Sequence, residues 1–190
     1  FRPGWTLHRF SALDQAYIEA HGIEGSRTAR EKACFLSHKA VIERCADAGK
    51  PVLTVEDDTM FGLATFEIID GFLQQNAASD WDIIFTDLAV LDLGTMVTMA
   101  ANRKMLMQDK KVIPLDLARI PFAGSSSYLI NGASTRKLLA CLDSSYPIDV
   151  EYDLLLARAI LGGKLKAAVL FPFVTTLSPL AASSQIQADF

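Results

Sequence analysis

The stretch that decides the fold is VLTVEDD at Val52–Asp58, where a short apolar run ends in three consecutive acids. The apolar part is rich in β-branched residues, which is typical of a strand buried on both faces in a parallel sheet. Adjacent carboxylates at a strand exit repel one another unless water or a cation separates them, and they are good ligands for hard divalent metals. From spacing alone, a solvated acidic loop or a helix N-cap cluster stays open as the alternative.

Helices and strands alternate on both sides of this run. Apolar residues recurring every three or four positions predict helices at residues 27–48, 65–76, 133–142 and 147–161. Short apolar runs predict strands at residues 52–55, 81–88, 112–117, 126–130 and 167–174. Residues 91–111 show no clean period and are predicted to be irregular. The alternation indicates one α/β layered domain over residues 1–190, with active groups at strand ends.

Composition excludes several classes of protein. Hydrophobic residues make up 51% of the 190 residues, which is ample for a core. A net charge of −4 without a cluster of basic residues argues against nucleic acid as a partner. Cys34, Cys45 and Cys141 match no paired zinc spacing, so we expect them to be structural and the compartment to be reducing. No segment is long and apolar enough to span a membrane, and we expect a cytoplasmic protein.

A second motif precedes the acidic run. Cys34-Phe35-Leu36-Ser37-His38 lies on a predicted helix shortly before Val52–Asp58. This order resembles glycosyltransferase family 25, the lipopolysaccharide-type sugar transferases, whose members carry Gly-Cys-x-x-Ser-His before a strand ending in Glu-Asp-Asp. Ala33 stands here in place of the glycine. Further segments are similar to the family's Arg-Phe-x-Ala-x-Asp, Trp-Asp-Ile, Gly-x-x-x-Tyr-x-Ile, Pro-x-Asp and Ser-x-Ile elements, at residues 8–14, 81–86, 124–130, 147–149 and 184–186.

The resemblance implies the A-type glycosyltransferase fold, that of the nucleotide-diphospho-sugar transferases. It implies inverting transfer of a hexose, often galactose from UDP-galactose, to a saccharide hydroxyl of lipopolysaccharide or a similar glycan, or to a hydroxylysine. A lipid-linked acceptor would bring such an enzyme to the periphery of the inner membrane. The family's opening strand and arginine-containing segment precede residue 1 here, so we expect the domain to lack its first strand.

The acids and the helix motif supply the candidate donor site. We expect Glu56 and Asp58 to anchor Mn²⁺ or Mg²⁺, which would bridge the donor phosphates, and Asp57 to hydrogen-bond nearby. Ser37 and His38 interrupt an apolar helix, so either they face the donor or acceptor or neighbouring groups satisfy them internally.

The base that takes the acceptor hydroxyl's proton is sought among acids across the cleft. If a helix has begun at Asp149, then Asp149 and Asp153 share one face, and either is a candidate. Asp149 is favoured because it fits the Pro-x-Asp element, and its alternative role is a helix N-cap.

Three further residues are candidates for contact with the sugar or the acceptor. Asp87 ends a predicted strand that would lie beside the acidic run if the two are neighbours, and a solvated strand end is its alternative. Gly124 and Ser125 are small residues that would let a sugar approach the backbone. The alternative for both is an ordinary loop that leads into a strand.

Two rival functions stay open at this point. One is a truncated or degenerate transferase domain that binds a glycan or a partner without turnover. The other is a different metal enzyme acting on phosphates, such as a nucleotidyltransferase or a phosphoesterase, since these also place acidic pairs at strand ends. The helix motif at residues 34–38 argues against the second rival.

Overall fold

The computed structural model describes residues 4–46, 49–76 and 80–179, so the segment 184–186 that resembles a family element lies outside the described residues. The strands are β1 (Val52–Val55), β2 (Thr59–Phe61), β3 (Ile83–Phe85), β4 (Ala89–Val90), β5 (Ile113–Asp116), β6 (Phe122–Ala123), β7 (Ser127–Ile130), β8 (Ala167–Phe171) and β9 (Thr175–Leu177). The helices are α1 (Gln15–Ala20), α2 (Ala29–Cys45), α3 (Thr65–Gln75), α4 (Leu93–Gln108), α5 (Thr135–Asp143) and α6 (Tyr152–Leu161).

A five-stranded mixed sheet in the order β1-β7-β3-β8-β5 organises the fold. Only β3 and β8 run parallel, whereas β7 is antiparallel to both β1 and β3. The prediction of a parallel strand buried on both sides at residues 52–55 is therefore wrong in its environment, although its bounds are confirmed. Strand β1 lies at the sheet edge, and Thr54 is its one buried residue.

Alternating side chains of the central strands pack into two cores on opposite faces of the sheet. Ile83, Phe85 and Tyr128 face one cluster, which they share with residues of α2, α5 and α6. Ile84 and Leu129 face the other, which includes residues of α3. The result is a helix-sheet-helix arrangement, and the prediction of an α/β layered architecture is confirmed.

The bounds of the helices follow their capping residues. Thr28 caps α2 by accepting the Glu31 backbone N–H at 3.2 Å, while the Glu31 carboxylate accepts the Thr28 N–H in return. Helix α6 begins only at Tyr152, with Glu151 in the N-cap position. The predicted helix start at residue 147 is therefore wrong, and Asp149 does not cap this helix.

Residues 91–111, predicted to be irregular, contain the well-formed helix α4. Asp92 caps it, since its carboxylate accepts the Thr95 N–H at 2.7 Å. Buried Met99 and Leu106 lie two turns apart on one side, while other apolar residues of the helix are exposed. Because apolar residues occupy both sides, the sequence shows no single period. Across the described ranges, no helix combines the length and apolarity needed to cross a membrane.

Candidate functional site

The C-terminal ends of β1 and β3 meet at the edge of the sheet that the strand ends form, because the start of β7 lies between them. The Glu56 N–H donates to the Ser126 carbonyl at 2.8 Å, and the Thr86 N–H donates to the Ser127 carbonyl at 3.1 Å. The Ser126 hydroxyl donates to Asp87 Oδ1 at 2.7 Å. The two strands are therefore not direct neighbours, yet the antiparallel strand between them brings Glu56 and Asp87 to the same edge.

Three carboxylates lie at this edge, those of Glu56, Asp58 and Asp87. Burial raises the pKa of Asp87, the hydroxyls of Ser126 and Thr175 offset part of this, and the charges of Glu56 and Asp58 add to it. Burial also raises the pKa of Asp58, with further contributions from Glu56 and Asp57. The side chain of Asp87 is 7% exposed, so the alternative of a solvated strand end is wrong for it.

Two carboxylate oxygens at this edge lack a partner. Asp58 Oδ1 and Asp87 Oδ2 are buried and accept no hydrogen bond from the part of the chain that the structure describes. The Thr175 hydroxyl near Asp87 instead lies 2.8 Å from Thr86 Oγ1. A buried anionic oxygen without a donor is costly, and a cation between such oxygens would remove that cost. The donor set consists of carboxylates, which suits a hard divalent cation such as Mn²⁺ or Mg²⁺. These donor atoms are therefore of the chemical type that binds the ion expected from the sequence.

His38 connects helix α2 to this edge. Its Nε2 lies 3.2 Å from Glu56 Oε1, and its Nδ1 lies 2.9 Å from the Tyr128 hydroxyl. The imidazole stacks on the Tyr152 ring at a centroid distance of 4.3 Å, and the two tyrosine hydroxyls lie 2.8 Å apart. Burial raises the pKa of both tyrosines, so both hydroxyls keep their protons. The ring of His38 is thus fixed on three sides.

Sequence reasoning missed both tyrosines as members of the site. Tyr128 is the tyrosine of the Gly-x-x-x-Tyr-x-Ile segment, so the quoted resemblance contained its signal. Tyr152 follows the acid-rich stretch that begins at Asp149 and carries no comparable signal.

Cys34 lies one turn before His38 on α2 and was also missed. One ligand atom from each of Cys34, His38 and Glu56 lies within 4.8 Å of the others. Burial and the charges of Glu56, Asp153 and Glu31 raise the pKa of the Cys34 thiol to about 12. The thiol is therefore protonated at neutral pH and is a poor nucleophile.

The two candidate bases occupy different surroundings. Asp153 Oδ2 accepts the Gly124 N–H at 2.7 Å, and the charge of Asp153 acts on the same thiol as that of Glu56. Asp149 Oδ1 accepts the Ser26 N–H at 2.7 Å, and this bond, with the nearby charge of Arg27, lowers the pKa of the exposed carboxyl. The two acids do not share a helix face, because α6 begins after Asp149.

The remaining predicted residues divide between the site and the scaffold. Gly124, with a positive φ of 94°, and buried Ser125 connect β6 to β7 beside Asp153. Ser37 donates to the Ala33 carbonyl at 2.7 Å and accepts the Leu13 N–H at 2.8 Å, so it is satisfied internally. Asp57 is exposed next to the cluster.

A comparison with known protein families gives a match over most of the chain. The sequence profile of glycosyltransferase family 25, described as an LPS biosynthesis protein, matches residues 11–156. No curated protein matches the chain significantly. The matched range is most of the chain and includes the helix motif at residues 34–38, the acids at both strand ends and both candidate bases. This match confirms the resemblance drawn from the motifs: the chain is a glycosyltransferase and belongs to glycosyltransferase family 25.

Proposed function

We propose that the protein transfers a hexose, galactose in the first instance, from a UDP-sugar to a saccharide hydroxyl of lipopolysaccharide or a similar glycan, with inversion. The observation that carries this proposal is the cluster of Glu56, Asp58 and Asp87 with its unpartnered oxygens. A donor diphosphate would be repelled by these carboxylates unless a divalent cation lay between them. We further infer that the mixed sheet is that of an A-type nucleotide-diphospho-sugar transferase.

In this proposal Glu56 and Asp58 hold Mn²⁺ or Mg²⁺, and Asp87 lies near enough to add its charge. A bound ion would neutralise the donor phosphates and the charge that develops on the departing diphosphate. His38 orients Glu56 through Nε2, and exposed Asp57 offers a hydrogen-bond acceptor to the donor.

The proposed base is Asp153 rather than Asp149. The base takes the proton of the acceptor hydroxyl as that oxygen bonds to the anomeric carbon, while the bond from this carbon to the diphosphate breaks and UDP leaves. Asp153 is fixed by the Gly124 N–H and interacts with the thiol that Glu56 also influences. Asp149 is instead engaged with the Ser26 backbone. Gly124 and Ser125 then provide the backbone surface that the acceptor sugar approaches.

The acceptor class suggests where the enzyme works. A saccharide of lipopolysaccharide under construction is carried on a lipid, so we propose a cytoplasmic enzyme that contacts the inner membrane peripherally through its acceptor. The nucleotide-sugar and the glycan are its proposed partners.

Calorimetric titration of UDP and UDP-galactose, with Mn²⁺ or with a chelator, tests the donor and the metal together. We expect binding with the metal and none with the chelator. Asp58→Asn should abolish metal-dependent binding with the fold intact, while Asp80→Asn, at an exposed acid outside the cluster, should bind as the wild type does. Failure of the wild type to bind UDP under either condition would favour a degenerate domain, and hydrolysis of generic phosphate esters would favour a phosphoesterase.

Replacing each candidate base by asparagine in turn tests the assignment of Asp153. Asp153→Asn should lower kcat by about 10²–10⁴-fold with metal-dependent UDP binding retained, because only proton removal is lost. Asp149→Asn is the matched control and should keep most of the activity. A larger loss in Asp149→Asn than in Asp153→Asn would reverse the assignment.

A further inference from the structure

Three different ligand types converge beside the carboxylate cluster. The Cys34 sulfur, a ring nitrogen of His38 and a Glu56 oxygen lie within 4.8 Å of one another. Cys34 and His38 are four residues apart on α2, a spacing that places both on the same face of the helix. Glu56 reaches them from the exit of β1. Helix α2 and the end of β1 therefore bring a sulfur, a nitrogen and an oxygen close together.

This donor set differs in kind from the carboxylates alone. Thiolate and imidazole select borderline and soft ions, above all Zn²⁺, whereas Mn²⁺ and Mg²⁺ favour oxygen. We propose that Cys34, His38 and Glu56 form a binding site for a thiophilic divalent ion of the zinc class. On binding, the ion replaces the thiol proton of Cys34, which leaves to the solvent.

The distance between the nitrogen and oxygen ligands suits such an ion. Two ligands that each lie about 2.0–2.2 Å from a tetrahedral zinc are roughly 3.3–3.6 Å apart. His38 Nε2 and Glu56 Oε1 are 3.2 Å apart, so both reach one ion with little movement.

The surroundings of His38 match those of a metal-binding imidazole. A metal ligand of this kind usually donates its second ring N–H to an oxygen, which fixes the ring and its tautomer. Here the Tyr128 hydroxyl lies 2.9 Å from Nδ1 and 2.8 Å from the Tyr152 hydroxyl. Tyr128 can accept from Nδ1 and donate to Tyr152, which leaves the lone pair of Nε2 directed at the ion.

The site has an entrance and an open coordination position. The Glu56 side chain is 40% exposed while that of His38 is 8% exposed, so an ion enters from the Glu56 side. Three protein ligands leave the fourth tetrahedral position to water or an anion, as in zinc sites that exchange their ligands. Because Glu56 is shared, zinc bound here would compete with the donor metal; this consequence, unlike the site itself, rests on the proposed function.

Titration of Co²⁺ into the metal-free full chain tests the site without any turnover. Cobalt replaces zinc and reports a thiolate ligand by a sulfur-to-cobalt charge-transfer band in the near ultraviolet. We expect this band in the wild type and its displacement by Zn²⁺. Cys34→Ser should remove the band, whereas Cys45→Ser and Cys141→Ser, at the other two free thiols, should keep it.

Variants of the neighbouring residues extend the test. His38→Gln should weaken Zn²⁺ binding by at least about tenfold, and Tyr128→Phe should weaken it by about 10- to 100-fold through the loss of the supporting hydroxyl. Thermal unfolding verifies that each variant is folded, and Cys34→Ala replaces Cys34→Ser if the latter is not. No cobalt band in the folded wild type, or a band that persists without the Cys34 thiol, would overturn the proposal.

Asp58→Asn separates this proposal from the proposed function. It should keep the cobalt band and lose Mn²⁺-dependent UDP binding. A wild type that binds UDP with Mn²⁺ but shows no cobalt band would refute the zinc-class site alone. A wild type that shows the cobalt band but binds no UDP would refute the proposed metal-dependent use of a UDP-sugar alone.

Discussion

Strand β3 is flanked by two buried aspartates whose hydrogen-bond partners differ. Asp82, just before the strand, is 3% exposed, and Asp87, two residues after it, is 7% exposed. Asp82 Oδ2 accepts from Lys137 Nζ at 2.5 Å and from the Lys166 N–H at 2.7 Å. Asp87 accepts from the Ser126 hydroxyl through one oxygen, while its other oxygen has no partner among the described residues.

Their pKa values diverge accordingly. Burial alone would raise the pKa of Asp82, but bonds from Lys137, Ser134 and the Lys166 backbone bring it below its ordinary value. Burial raises the pKa of Asp87, and no lysine in the described part of the chain lowers it. Because the two aspartates flank the same strand and are similarly buried, the difference between their pKa values comes from the lysine beside Asp82. Asp82, paired with a lysine, therefore supports the fold, whereas Asp87, without one, belongs to the acidic cluster of the proposed donor site.

The largest expected effect is on activity at Asp87. Asp87→Asn should lower metal-dependent hexose transfer by about 10²–10³-fold, because part of the charge that attracts the ion is lost. Asp82→Asn should retain most of the activity per folded molecule. Steady-state rates normalised to the folded fraction measure both, and equal losses in the two variants would remove the distinction between the strand ends.

The next effect is on stability at Asp82. Asp82→Ala should lower the free energy of unfolding by about 2–3 kcal/mol, since the Lys166 N–H loses its acceptor and Lys137 loses its counter-charge. Asp80→Ala is the matched control, because the Asp80 side chain is 76% exposed, and should change the free energy by less than about 0.5 kcal/mol. Urea unfolding at pH 7 compares them, and equal effects would mean that Asp82 is not structural.

A smaller effect of opposite sign is expected for Asp87. In the presence of a chelator, Asp87→Asn should raise the free energy of unfolding by about 1 kcal/mol, because an unpaired buried charge is replaced by a neutral amide. Thermal unfolding with and without Mn²⁺ measures this gain. A loss of stability under chelation would show that the Asp87 charge contributes to the fold.

The smallest effect concerns acid pH. Because the folded pKa of Asp82 is lowered, its carboxylate stabilises the fold above the unfolded pKa of about 3.9, and this contribution disappears as the pH falls through the folded value. Between pH 7 and pH 3 the wild type should lose more stability than Asp82→Asn, by less than about 1 kcal/mol. Urea midpoints across this range test the sign, and parallel curves would contradict it.

Local patterns in the sequence were sufficient to place most of the elements. The bounds of β1 follow from its apolar run, and α3 and β7 match their predictions within a residue. The predictions that failed depend on the tertiary structure. The parallel environment predicted for β1 was wrong because pairing depends on β7, which lies far along the chain. Helix α4 was missed because apolar residues on its exposed side obscured the buried pair Met99 and Leu106.

The candidate site was predictable to a similar extent. Glu56, Asp58 and His38 stand out because polar residues interrupt apolar patterns, and the structure brings them together with Asp87. The approach of Glu56 to Cys34 and the stacking of Tyr152 on His38 depend on distances across the fold, which sequence spacing does not encode. Asp149 does not share a helix face with Asp153, because α6 begins later than the residues around Asp149 indicate.

The position of β7 also determines when the site forms during synthesis. Glu56 and Asp87 leave the ribosome well before residues 127–130, which pair with both β1 and β3. A nascent chain that ends before β7 therefore carries all three acids of the cluster, yet it has no strand to hold them at one edge. Such long-range pairing forms late because a large loop must close first. The growing polypeptide is thus kept from assembling its acidic cluster until most of the domain has been translated.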